Sequence, residues 1–231
     1  MKTITEKDSG FICDIQSPCF QVLSSSECES IKESKTQILF RKGDMLAKQG
    51  VFANYVLFII KGISKLYIED NSGKNFNLHI ALPGEFIGLS SVFDTTTFDY
   101  SVQAITDCQV FLVEKEKMKS VLQGNGRFAS GIISRYCMLN RILLNAVHCS
   151  QFKQMNGRLA SALMYLDSKQ ESENELFSLL SRKDIAEFAG ISVESTVKLL
   201  KGFESDGLIA LDNKSIVILN KEKLADIAER G

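Results

Sequence analysis

The chain has 231 residues, 45% of them hydrophobic and 24% charged, with a formal net charge of −1. That length carries two domains with their own cores, and the near-zero charge excludes a protein that holds nucleic acid by bulk electrostatics, so any attraction for DNA must come from a local patch. No apolar run reaches the length of a membrane span and the N-terminus MKTITEKDSG lacks a signal-peptide core, so a cytoplasmic protein is expected. Its six cysteines, at 13, 19, 28, 108, 137 and 149, are then read as reduced thiols, and no two have zinc-ribbon spacing.

Residues 1–35 read as a leader and a short helix, in which the serines of FICDIQSPCFQVLSSSECESI cap a segment carrying Cys28 and Ile31. Residues 36–124 read as one domain, whose strands run from Thr36 to Glu114. QILFRKGDMLAKQG and YVLFIIKGISKLYIED are apolar, β-branched and aromatic, broken by Gly43, Gly50 and Gly62. EDNSGKN forms a turn, HIALPGEFIGL a corner at Pro83 and Gly84, and SVQAITDCQVFLVEKE alternates as a last strand. Short strands at even spacing with glycine corners indicate an antiparallel barrel or jelly roll. Residues 125–153 form a long apolar helix, GRFASGIISRYCMLNRILLNAVHCSQF. Phe128, Ile132, Leu139, Ile142, Leu143 and Ala146 share a stripe, with Ile132, Leu139 and Ala146 seven apart. Seven-residue spacing keeps a stripe facing a partner helix, so these residues are the expected dimer interface. The two histidines, His79 and His148, read as hydrogen-bonded structural residues rather than ligands.

Residues 154–231 read as a second domain. A helix from Asn156 to Ser168 buries Leu159, Leu163 and Leu166, and an acidic polar loop follows. The stretch SRKDIAEFAGISVESTVKLLKGFESDGLI then has helix-turn-helix spacing. Ser181 stands three residues before Asp184 and caps the first helix; Gly190 permits the left-handed residue that ends it. Ser192 caps a second helix whose Thr196, Leu199, Leu200 and Phe203 face inward. This leaves Val193, Glu194, Val197, Lys198 and Lys201 outside. The first turns of a recognition helix read base edges in the major groove. Glu194 can accept from a cytosine amino group, Lys198 can reach guanine or a phosphate, and Val193 and Val197 can touch thymine methyls. Ser192 and Ser195 belong to the same first turn, and Arg182, Lys183 and Lys201 suit phosphates. LIALDNKSIVIL follows as a two-stranded wing and NKEKLADIAERG as a short helix.

With its continuation DNKSIVILNKEKLADIA, this stretch resembles the DNA-binding signature of the Crp/Fnr family of bacterial transcription regulators. Val193 resembles the Fnr-like branch more than the cyclic-AMP-responsive branch, where arginine is usual. The family motif of Glu followed four residues later by Arg is here Glu194 and Lys198, and lysine lacks the bidentate fork of arginine. Val197 also replaces a small or polar residue, so the operator sequence is not carried over. The resemblance implies an α+β chain: an N-terminal antiparallel, jelly-roll-like β-roll of the cyclic-nucleotide-binding kind, a long dimerisation helix and a C-terminal winged helix-turn-helix. It also implies a homodimer on double-stranded DNA, with RNA polymerase as a partner and a signal, such as a small-molecule effector, acting at the β-roll or N-terminal region.

Matched residue by residue, the resemblance argues against cyclic AMP. Where nucleotide-binding members have a ribose-binding glutamate and a phosphate-binding Arg-Ser pair, this chain has Leu89 and then Phe98 and Asp99, which reverses the charge logic. Ser90, Ser91 and the run Thr95 to Thr97 offer hydroxyls to a neutral ligand instead. Cys13 and Cys19 resemble part of the iron-sulfur ligand set of the Fnr branch, but the remaining positions hold Gly10 and Phe111, with Cys28 as the irregular candidate. A four-iron cluster wants four thiolates, so no metal or cofactor is expected. The rival reading is a small-molecule or redox sensor whose winged domain binds protein. No nucleophile elbow or phosphate-cradling glycine-lysine loop is present, so an enzyme is not expected.

Overall fold

The computed structural model describes residues 1–5, 7–9, 11–12, 20–93, 96–170 and 176–231. Gly10, Cys13, Cys19 and Thr95 lie outside the described residues. The contacts divide the chain into two compact units, Met1–Glu69 with Ala81–Arg141, and Asp70–Ile80 with Ile142–Gly231.

The leader supplies a strand that the sequence did not announce: β1 (Lys2–Ile4) pairs antiparallel with β2 (Lys35–Phe40), Lys2 opposite Leu39. Between them α1 (Ser25–Ser34) starts on a capping box in which Ser24 and Glu27 satisfy each other's backbone amides. The strands β3 (Met45–Ala47), β4 (Tyr55–Lys61), β5 (Ser64–Glu69), β6 (Asn75–Ala81), β7 (Phe86–Ile87), β8 (Ser101–Ala104) and β9 (Cys108–Glu114) follow, with α2 (Ser90–Phe93) after β7. They form a five-stranded sheet in the order β1-β2-β9-β4-β7 and a four-stranded sheet in the order β3-β8-β5-β6.

The apolar run of β4 is explained by burial on both faces. Successive side chains of a strand alternate, so Leu57 and Ile59 enter one core with Leu66, Val102 and Val110. Val56 and Phe58 enter the other, with Ile31, Phe111, Met118, Phe128 and Ile132. The second core is roofed by α1, by α3 (Lys115–Gly124) and by the first turns of α4 (Gly126–Phe152). Asn125 ties that roof together, its Nδ2 donating to Val22 O at 3.1 Å and Glu27 Oε2 at 3.0 Å.

This packing corrects one expectation. Phe128 and Ile132 are each 1% exposed inside their own unit's core, so they cannot serve a partner helix. Leu139, Ile142, Leu143 and Ala146 are half-buried. The exposed large apolar residues of α4 are Ile133, Met138, Leu144, Val147 and Phe152, at 61%, 59%, 62%, 58% and 77%. A one-residue step turns a helix by about 100°, and the seven-residue spacing recurs there as Ile133, Asn140 and Val147.

The C-terminal elements are α5 (Met155–Ser168), α6 (Leu176–Leu179), α7 (Arg182–Ala189), α8 (Val193–Ser205), β10 (Ile209–Asp212), β11 (Ser215–Ile218) and α9 (Lys221–Arg230). Leu159, Leu163 and Leu166 are fully buried, as their helical spacing requires, along with Phe177, Ile185, Leu200, Phe203 and Leu224. Among the described residues no helix is long and apolar enough to cross a membrane.

Candidate nucleic-acid interface

The helix-turn-helix is closed by local chemistry. Ser181 N donates to Asp184 Oδ2 at 2.8 Å and Asp184 N to Ser181 Oγ at 3.1 Å, the reciprocal capping box that starts α7. Gly190 ends it at φ 63°, ψ 33°, and Ile191 N reaches back to Ala186 O at 3.1 Å. A side chain at Gly190 would carry the cost of a left-handed backbone conformation. Ser192 then caps α8 by accepting from Ser195 N at 3.0 Å. Thr196 Oγ1, wholly buried, donates to Ser192 O at 3.0 Å and so has a partner in the core.

The outward face of α8 matches the sequence expectation in exposure. Val193 is 43% and Val197 38% exposed, and Glu194, Lys198 and Lys201 are exposed beside them. Ser195 is half-buried, held through its amide and its hydroxyl, 2.9 Å from Ser192 Oγ. Among the described residues, Lys198, Lys201 and the wing's Lys214 make no ion pair. Their charge is therefore available to an anionic partner. Lys183, by contrast, lies 3.7 Å from Glu187 Oε1.

Arg182, expected at a phosphate, also engages the wing. Its Nη1 and Nη2 donate to Lys214 O at 3.4 Å and Asn213 O at 3.3 Å, and partial burial lowers its pKa. It holds the tip of the β10–β11 hairpin, where Asn213 adopts φ 52° and Asp212 pairs with Ser215. Glu204 holds β10 of the same wing by accepting from Leu211 N at 3.2 Å. Sequence reading missed both contacts because each joins α7 or α8 to a strand formed later in the chain.

The corner after β7 tests the other expected site. Phe98 is buried in the roll's core at 8% exposure, and a Cβ at Gly88 would stand 2.6 Å from its Cε1. Gly88 N, an amide at the corner, already donates to Tyr100 Oη at 2.9 Å. Burial pushes the Tyr100 hydroxyl up to about 12, so it stays neutral. Leu89 is buried and Asp99 exposed. These residues fill and seal the corner with an aromatic ring and a phenol, and they offer no cation to a cyclic phosphate. His79 sits 2.8 Å from Tyr165 Oη through Nδ1, and His148 is exposed 5.2 Å from the Phe152 ring. Phe111 lies in the core between β2 and β4 at 1% exposure.

Comparison with known proteins matches both halves. The cyclic nucleotide-binding domain family matches residues 37–125 and the Crp-like helix-turn-helix domain family residues 157–227. The cAMP-activated global transcriptional regulator CRP of Salmonella typhimurium is 26% identical over 177 residues, 75% of this chain and 84% of that protein. The transcriptional activator protein Anr of Pseudomonas aeruginosa is 25% identical over 195 residues, 81% of this chain and 78% of Anr. In fold, FixK2 from Bradyrhizobium japonicum superposes with a TM-score of 0.74 at 20% identity, covering 84% of this chain and 96% of its own. A CooA variant from Carboxydothermus hydrogenoformans gives 0.74 at 19% identity, covering 93% and 97%.

Proposed function

This chain belongs to the Crp/Fnr family of DNA-binding transcription regulators, and we propose that it acts as a homodimer whose two α8 helices read a near-palindromic duplex. The observation that carries this reading is the outward face of α8, where two exposed valines stand among an acid and two lysines on a capped helix-turn-helix. In water such valines gain nothing; against thymine methyls they do. Glu194 and Lys198 take the base-reading roles, with Val193 and Val197 beside them and Ser192 and Ser195 at the groove end. Lys201 and Lys214 contact phosphate, which sets register without selecting sequence.

The dimer forms through the exposed row of α4, Ile133, Leu144 and Val147, with Cys137 and Asn140 between them. A twofold pair of domains then presents recognition helices to successive major grooves about 34–36 Å apart. In this reading the chain is divided by role into a leader, 1–35, a roll, 36–124, a dimer helix, 125–153, and a winged domain, 154–231. RNA polymerase is the downstream partner. The Phe98 ring and the Tyr100 bond to Gly88 support a signal other than a cyclic nucleotide.

Selection from a library of random duplexes tests the reading. A DNA-reading homodimer enriches a motif with twofold symmetry. A winged domain that binds protein enriches none, and that outcome would retire the proposal.

A further inference from the structure

A cavity of about 50 Å³ opens within the C-terminal unit between β6, the end of α4, α5 and α7. That is several times the roughly 10–15 Å³ that a single water requires. Its apolar wall includes Phe76, Ile142, Ala146 and Phe188. Two polar residues on the wall lack partners for part of their capacity. Asn77 is 2% exposed; its Nδ2 donates to Asp184 O at 3.0 Å, but its Oδ1 accepts nothing. A buried amide oxygen without a donor is destabilising. Arg158 donates through Nε to Lys153 O at 2.8 Å, and among the described residues its two terminal nitrogens face no carboxylate. Among the described residues, no Asp or Glu lines the cavity.

These demands define a ligand. The Arg158 guanidinium calls for a carboxylate, the Asn77 oxygen for a hydrogen-bond donor close to it, and the aromatic and aliphatic wall for a compact apolar group. An ammonium as donor would meet a cation and no anion, whereas a hydroxyl carries no such cost. We infer that this cavity binds a small 2-hydroxy carboxylate with an apolar side chain. The carboxylate takes Arg158 and the hydroxyl donates to Asn77 Oδ1. The wall includes Phe188 and Ala189, the last turn of α7 before Gly190. Through that turn the ligand shifts DNA affinity by as much as it prefers one arrangement of the helix-turn-helix; this consequence, unlike the binding, rests on the function proposed above.

Calorimetric titration of the full chain with 2-hydroxyisocaproate tests the site without DNA. Comparators are isocaproate, which lacks the hydroxyl, leucine, which replaces it with an ammonium, and 2-hydroxyisocaproamide, which lacks the charge. The hydroxy acid should bind at least about tenfold tighter than each comparator. Arg158→Met should lose about tenfold or more, with Arg158→Lys retaining part, and Asn77→Leu should erase the preference over isocaproate. Thermal melting identifies any variant that fails to fold, in which case the four probes on the unaltered chain decide. No saturation below about 10 mM, equal affinity for all four, or undiminished binding by a folded Arg158→Met chain overturns the site. Probe binding by a chain that selects no duplex would sink the DNA reading and leave the cavity's assignment standing.

Discussion

Helices α8 and α4 both leave apolar side chains in solvent, and the neighbours of those side chains separate their uses. On α8, Val193 and Val197 alternate with Glu194, Lys198 and Lys201. Small methyls interspersed with donors and an acceptor complement a groove whose floor offers methyls, donors and acceptors in turn. On α4, Ile133, Leu144 and Val147 are accompanied by Cys137 and Asn140, both uncharged. Depletion of charge around exposed aliphatics is the composition of a protein interface core, and a polar residue at a seven-residue position fixes the register of paired helices. Exposure alone therefore assigns neither face; the adjacent charge does.

The comparison can be broken most severely from the inside of α4. Phe128→Ala should destabilise the first unit by about 3–5 kcal/mol through lost burial and the cavity left behind, read by denaturant unfolding, without changing the association constant of the folded chain. Leu144→Asp should do the reverse. Placed twice in a symmetric contact, at about 2 kcal/mol or more per copy, it should leave a folded monomer in sedimentation and abolish tight operator binding. If Phe128→Ala dissociates the dimer while Leu144→Asp does not, the inward stripe is the interface after all.

On α8 the effects are smaller and of a different kind. Glu194→Ala should cost about 1–3 kcal/mol of discrimination at one base pair while scarcely altering the salt dependence. Lys201→Ala should weaken all duplexes alike and reduce the slope of log K against log salt by about one unit. Loss of selectivity from the lysine variant would reverse the roles assigned to the two residues. Arg182→Ala should cost about 1 kcal/mol, the net worth of its wing hydrogen bonds, with a change in duplex affinity smaller than that of Lys201→Ala in fluorescence anisotropy.

Legibility followed the range of the forces involved. The caps of α7 and α8 were readable because Ser181 with Asp184 and Ser192 with Ser195 are three residues apart, as was Gly190, whose conformation is local. The buried face of α5 was readable from its period. The role of Arg182 was not, since its acceptors lie 31 and 32 residues away on a hairpin tip. Nor was strand β1, whose partner Leu39 stands 37 positions beyond Lys2 in a segment that the leader's composition does not suggest. The Tyr100 contact that seals Gly88 also lay beyond reach, although its neighbour Phe98 was already conspicuous.

By itself the sequence determined the helix-turn-helix, its caps, the outward residues of α8 and the absence of an arginine at Phe98, because each depends on residue identity over one or two turns of chain. Tertiary structure alone decided which stripe of α4 is covered. That helix is apolar on more than one side, and periodicity reports how apolar residues repeat without saying which repeat meets the protein's own core. The packing of Phe128 and Ile132 against Phe58 and Phe111 settled it, leaving Ile133, Leu144 and Val147 outside.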